Sequence, residues 1–125
     1  MQKEQVELTF TQVNGIIMDE ATATTAIAHV DISAKSLNIY GNIHGGLLYS
    51  LADNVAGMCA RATGNNHVTL QGSMNYLKGI SSGRITAKAI VVHRGRTTCV
   101  LDVNIFSEDN LCLAKGTFTM YNVGT

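Results

Sequence analysis

One stretch constrains what this chain can fold into more than any other: an apolar-periodic run of about five helical turns, entered through paired glycines. Leu47, Leu48, Leu51, Ala52, Val55, Met58, Cys59 and Ala62 recur at the spacing of one broad helical stripe. That spacing predicts a helix from about Gly45 to Thr63. Gly64-Asn65-Asn66 supplies its stop, with Gly64 suited to the left-handed position past the last turn. A helix with one apolar face must bury that face against another layer.

The layer is legible downstream. Four segments of strand character follow, at 67–77, 84–93, 97–106 and 111–121, separated by glycine or polar turns. Alternation is clear in Ile85/Ala87/Ala89/Val91 and in Cys99/Leu101/Val103/Ile105. The short connections favour antiparallel neighbours. Upstream, Ala26, Ala28, Val30 and Ile32 alternate with Thr25, Ile27, His29 and Asp31, as in a strand with one covered face. Asp19-Glu20 reads as the turn before it, and 33–43 as a loop. The reading is an α+β domain over 15–125, a sheet of five or six strands wrapping one helix. Residues 1–14 precede it as an arm or a short helix.

Composition narrows the function. The chain has 125 residues, enough for a core without metal or disulfide support. Net charge is zero, so nothing here tracks a nucleic-acid backbone. Cys59, Cys99 and Cys112 make neither an even set nor a C-x-x-C pair, and read as small buried hydrophobes in a reducing compartment. Neither a signal peptide nor a membrane-spanning run is expected from these residues, and a cytoplasmic protein is expected.

Chemistry concentrates at the helix entrance, Asn38-Ile-Tyr-Gly41-Asn-Ile-His44-Gly45-Gly46, and at Asp53 on the helix itself. A helix N-terminus presents unpaired N–H donors and the positive end of a dipole, a place for a carbonyl oxygen or an anion. Asp53 is a candidate base or nucleophile. It lies about 10.5 Å along the axis from Gly46, out of reach of a carbonyl held there. Either the two features are unrelated, or an antiparallel second helix brings its own aspartate alongside, as in a two-fold dimer. Ala56, Gly57 and Ala60 flank Asp53 as a small-residue face that could admit a neighbouring chain or a narrow ligand.

The spacing N-x-x-G-x-x-H-G-G-x(6)-D, carried by Asn38, Gly41, His44, Gly45, Gly46 and Asp53, resembles that of hotdog-fold acyl-CoA thioesterases of the phenylacetate-degradation type. The likeness covers roughly residues 15–122 and continues in Ser73-Met-Asn-Tyr76-Leu77 and Arg94-Gly95-Arg96-Thr97. It implies a homo-oligomer, dimer or dimer of dimers, with Asp53 of one protomer facing the Asn38 and His44–Gly46 region of the other. It implies that Asp53 is general base or nucleophile, that Gly46 N–H polarises the thioester carbonyl, that Asn38 orients water or thioester, and that His44 shapes the loop. A hydroxyl residue of the family aligns with Thr69. A proline usual in the family after the Tyr-Leu pair is replaced here by Lys78-Gly79-Ile80.

The expected substrate is a small, medium-chain or aromatic acyl-CoA. The coenzyme A would lie against Tyr76, Lys78, Arg94, Gly95, Arg96 and Thr97, with no nucleic-acid or membrane partner. No cofactor beyond the substrate's own coenzyme A is expected, and no metal: His29, His44, His67 and His93 lie in separate segments. Each residue has a plainer reading. His44 could merely brace the helix entry, Asn38 could be a turn residue, and the Arg94–Arg96 turn could be a charged hairpin with Gly95 at positive φ. A hydroxyacyl-thioester dehydratase or a non-catalytic acyl-CoA or aromatic-ligand binder are the alternative functions.

Overall fold

The computed structural model describes residues 8–125, so positions 1–7 of the expected arm lie outside the described residues. The remainder of that arm contains one helical turn, α1 (Phe10–Val13), closed by a reciprocal capping box between Thr9 and Gln12. Thr11 Oγ1 donates to Asn54 Oδ1 at 2.9 Å, and Lys35 Nζ donates to the Val13 carbonyl at 2.7 Å, which moor α1 beside the long helix.

Six strands follow: β1 (Ile17–Ala21), β2 (Thr25–Asp31), β3 (Asn66–Tyr76), β4 (Arg84–Arg94), β5 (Thr98–Phe106) and β6 (Cys112–Gly124). They form one sheet in the order β1-β2-β4-β5-β6-β3, every neighbouring pair antiparallel. The long helix α2 (Gly45–Arg61) lies between β2 and β3 in the chain and packs across the sheet. Gly64 takes φ +109°, the left-handed position expected beyond the helix end. This is the α+β hotdog architecture.

The period-2 pattern explains how the layers meet. Ala26 and Ala28 of β2 pair with Ala89 and Ala87 of β4, and all four are fully buried. Four adjacent methyl groups leave room for the helix backbone to come close. Leu101, Val103, Ile105, Leu113 and Phe118 then fill the space beneath Leu51 and Val55. Ala56, Gly57 and Ala60 are buried here too, so the small-residue face is not an open surface. Ala56 and Ala60 are fully covered within the protomer, and the Arg61 guanidinium lies over Gly57.

The turn placed at Asp19-Glu20 is also corrected. Strand β1 runs through both residues, and the register slips between Met18 and Glu20, leaving Asp19 as a bulge. The chain reverses instead at Thr22–Thr24, where the Thr22 hydroxyl accepts from the amides of Thr24 (3.2 Å) and Thr25 (3.0 Å). The bulge aims Asp19 at His29, whose Nδ1 lies 2.8 Å from Oδ2. Cys59 and Cys99 are buried and Cys112 half-buried, all as free thiols, and burial pushes the first two up from the usual thiol range.

Candidate active site

The entrance to α2 is organised by one histidine. The backbone amide of His44 donates to the Ser36 carbonyl (2.8 Å), and the His44 carbonyl accepts from Leu47 (3.0 Å) and Leu48 (3.2 Å). Its Nδ1 accepts from Gly46 N–H at 2.8 Å. That bond requires a bare Nδ1, which leaves the ring proton on Nε2. Gly46 has room for the imidazole because it lacks a Cβ, which would come within 2.9 Å of Nδ1.

The expected carbonyl-polarising donor is Gly46 N–H, and His44 engages that donor here. The Gly46 amide is already satisfied by His44. Among the described residues, the Gly45 N–H has no acceptor. Gly45 also lines a cavity of about 350 Å³, together with Asn38, Asn42, Ile43, Leu48, Tyr76, Leu77, Lys78 and Gly79. Gly46 lies on the other side of the turn, in a separate depression with Phe10, Asn14, Lys35 and Ser50.

Asn38 builds the loop as well as lining the cavity. Its Oδ1 accepts from Tyr40 N (2.9 Å) and Asn42 N (3.1 Å), an Asx turn, which leaves the Nδ2 donors uncommitted. Tyr76 and Lys78 line the same cavity. The Tyr76 ring packs over Gly45, and partial burial, with Tyr49 nearby, raises its phenol above the usual range. The Lys78-Gly79-Ile80 segment that replaces the family's proline is held at both ends. Leu77 and Lys78 amides donate to Leu113 O, and Ile80 O accepts from Ile43 N at 2.8 Å. Asn42, Leu77 and Gly79 escaped the sequence reading. Asn42 lay inside the motif, but its alignment with Gly79 depends on a contact between distant segments.

Asp53 and Thr69 come together. The Thr69 hydroxyl on β3 donates to Asp53 Oδ1 at 2.5 Å. Neither residue lines the Gly45 cavity. Asp53 stands eight residues beyond Gly45 on α2, about 12 Å along the axis, so a single protomer does not bring carboxylate and amide together.

The Arg94 hairpin departs from expectation. Its guanidinium donates to the carbonyls of Ala60 (3.0 Å), Cys59 (3.2 Å) and Ala23 (2.8 Å). It therefore braces the C-terminal end of α2, where the last-turn carbonyls and the negative dipole end attract a cation. Gly95 is not at positive φ; its N–H closes the turn onto Thr98 O at 2.8 Å. Arg96 and Thr97 are exposed, at the end of α2 farthest from the Gly45 cavity. Among the described residues, no group of three or more His, Cys, Asp or Glu side chains converges to hold a metal, and no helix is long and apolar enough to cross a membrane.

Comparison with known proteins then decides the family. The thioesterase superfamily model matches residues 40–114, from the Gly45 loop through the Asp53 helix and most of the sheet. The chain belongs to the thioesterase superfamily. It is a thioester hydrolase. This thioesterase is 31% identical to acyl-coenzyme A thioesterase PaaI of Escherichia coli, over 79% of this chain and 69% of PaaI. The solved structure of a hypothetical thioesterase protein from Streptococcus pneumoniae with coenzyme A is 38% identical, with a TM-score of 0.83, covering 88% of this chain and 87% of that one. The structure of smu.793 from Streptococcus mutans bound to acetyl CoA is 33% identical, also with a TM-score of 0.83, covering 100% and 97% of the two chains. The S. pneumoniae protein has also been solved with single alanine replacements of an aspartate and of a threonine 16 positions apart. Asp53 and Thr69 of this thioesterase have the same separation.

Proposed function

We propose that this thioesterase hydrolyses acyl-CoA at a site shared by two copies of the chain. The observation that carries the reading is the division of parts within one protomer. The free Gly45 amide faces a cavity, and a hydroxyl-buttressed carboxylate sits about two turns away on the same helix. A second α2 running antiparallel supplies the missing Asp53. The coenzyme A and acetyl CoA held by the two streptococcal relatives support a CoA thioester as substrate.

In this reading the thioester oxygen accepts from Gly45 N–H, and the helix dipole stabilises the developing oxyanion. Asp53 of the second copy removes a proton from water as its oxygen attacks the carbonyl carbon. The C–S bond breaks, and CoA leaves as a thiolate that then takes up a proton. The Thr69 hydroxyl holds the carboxylate in its reactive orientation and favours its ionised form. Asn38 Nδ2 orients the water or thioester, and Lys78 at the cavity wall meets a phosphate of CoA. Arg96 and Thr97, at the far helix end, reach the same CoA only from the second copy. Arg94 takes no part, since its donors hold α2 in place.

The edge of the sheet offers a route to that dimer. β3 is bonded on one side only and spans 11 residues. The test is thiol release from a panel of acyl-CoAs. Replacing Asp53→Asn removes the base at almost constant shape and should lower turnover by about 10²- to 10⁴-fold. Unchanged turnover in that variant would overturn the mechanism.

A further inference from the structure

The most exposed large apolar side chains among the described residues are neighbours: Ile39 at 91% and Tyr40 at 82%. They occupy the tip of the loop that carries Asn38 and Asn42, and that loop is firmly closed. Asn38 N donates to Asn42 O at 2.7 Å, and Gly41 N to Asn38 O at 3.0 Å. The Asn38 side chain accepts from two further amides of the same loop. Gly41 turns the chain at φ +82°, and Leu37 bridges to Ile43 below. A loop built this way displays its two apolar side chains in a set position, so little conformational entropy is lost when they are covered.

We infer that the Ile39–Tyr40 tip is an anchor that seats on a second copy of this chain and holds that copy's Asp53 over the Gly45 cavity. The inference rests on the shared-site reading above. Asn38 and Asn42, on either side of the tip, line the cavity that lacks a carboxylate. Whatever surface brings Asp53 to that cavity must pass beside the tip. On each chain Asp53 lies beside the free edge of β3, the strand that carries its partner Thr69. Apart from Asp53 itself, the loop and the β3 edge add no ionised side chain. Residues 37–46 contain no Asp, Glu, Lys or Arg, and neither do residues 66–76. Bringing them together therefore strips no ion of water besides the catalytic carboxylate, and aromatic anchors with such surroundings tend to dominate interfaces.

The tip can be altered without disturbing the loop, because the loop's hydrogen bonds come from the backbone and from Asn38. The experiment compares wild type with the double variant Ile39→Ser/Tyr40→Ser by sedimentation across a concentration series, with circular dichroism confirming the fold of each. The wild type should dimerise, and the variant should do so at least about tenfold more weakly. A second variant, Tyr40→Trp, places the only indole in a chain that has no tryptophan. Its emission should shift to the blue and lose accessibility to acrylamide as the protein associates.

Undiminished dimerisation of the double variant, or an indole that stays open to quencher in the dimer, would overturn the inference, as would a monomeric wild type. An intact dimer with a raised KM for acyl-CoA would overturn it too, showing that the tip holds the substrate's nucleotide instead. If the dimer weakens as expected but the wild type cleaves no thioester, the anchor stands and the shared-site chemistry fails.

Discussion

The sheet has two free edges built from different material. β1 is five residues long, carries Asp19 and Glu20, and is bent by a bulge at Asp19. β3 is 11 residues long and contains no Asp, Glu, Lys, Arg or Pro, while Val68 and Leu70 face outward from it. Both edges carry irregularities, β3 between Asn66 and His67 and between Thr69 and Gln71, but short charged strands resist pairing with another chain whereas long uncharged ones invite it. For the shared-site proposal the contrast singles out the edge at which a second copy would attach, and that edge coincides with the chemistry. Thr69, the hydrogen-bond partner of Asp53, sits on the inviting edge. At the far edge Asp19 of β1 is taken up instead by His29 of β2, with the Asp31–Arg84 pair one strand further in.

Lysines test that contrast with the largest expected effect. Val68→Lys together with Leu70→Lys should convert the protein to monomers in sedimentation and remove most of its thioesterase activity. A lysine at Ile17, half exposed on β1, should change neither. Equal effects at both edges would break the comparison. Thr69→Val comes next. Losing a hydrogen bond to a charged group costs about 1.5–3 kcal/mol, so kcat should fall roughly 10- to 100-fold with the dimer intact.

Arg94→Met separates structure from substrate binding at the far end of α2. Loss of its three carbonyl contacts should lower unfolding free energy by about 1–3 kcal/mol, with KM for acyl-CoA unchanged. A raised KM at unaltered stability would restore the phosphate-binding role set aside above. The smallest effect belongs to Asp31. Its hydrogen bond to Arg84 holds the carboxyl below its usual range, against the opposing effect of desolvation. A depressed carboxylate adds stability above its unfolded pKa, and that stability fades as pH falls through the folded value. The pair is fully exposed, so Asp31→Asn should shift the acid-unfolding midpoint only slightly, and less still in high salt.

Much of this molecule is written in local pattern. The α2 stripe and the alternation in β4 and β5 follow from residue spacing, because burial on one face demands those periods. Asp53 and Thr69 were each identifiable, and their meeting follows once the helix lies on the sheet. The misreadings have a common cause in contacts that local pattern does not encode. Asp19-Glu20 has the composition of a turn, yet His29, ten residues on, draws Asp19 into a bulge. Arg94 in an Arg-Gly-Arg run suggests phosphate, yet its donors are taken up by the carbonyls of Ala23, Cys59 and Ala60. The two glycines after His44 look equivalent in sequence. Only the imidazole's position shows that the Gly46 amide is spent and the Gly45 amide is free.

Subunit mixing tests the shared site most directly. Asp53→Ala and Asn38→Ala chains, each severely impaired alone, are unfolded together and refolded at equal concentration. Sites assembled from two chains predict recovery of about a quarter of wild-type thioester hydrolysis, since half the dimers are mixed and each holds one intact site. Mixed dimers that form, as seen by native mass spectrometry, yet recover no activity would contradict the account.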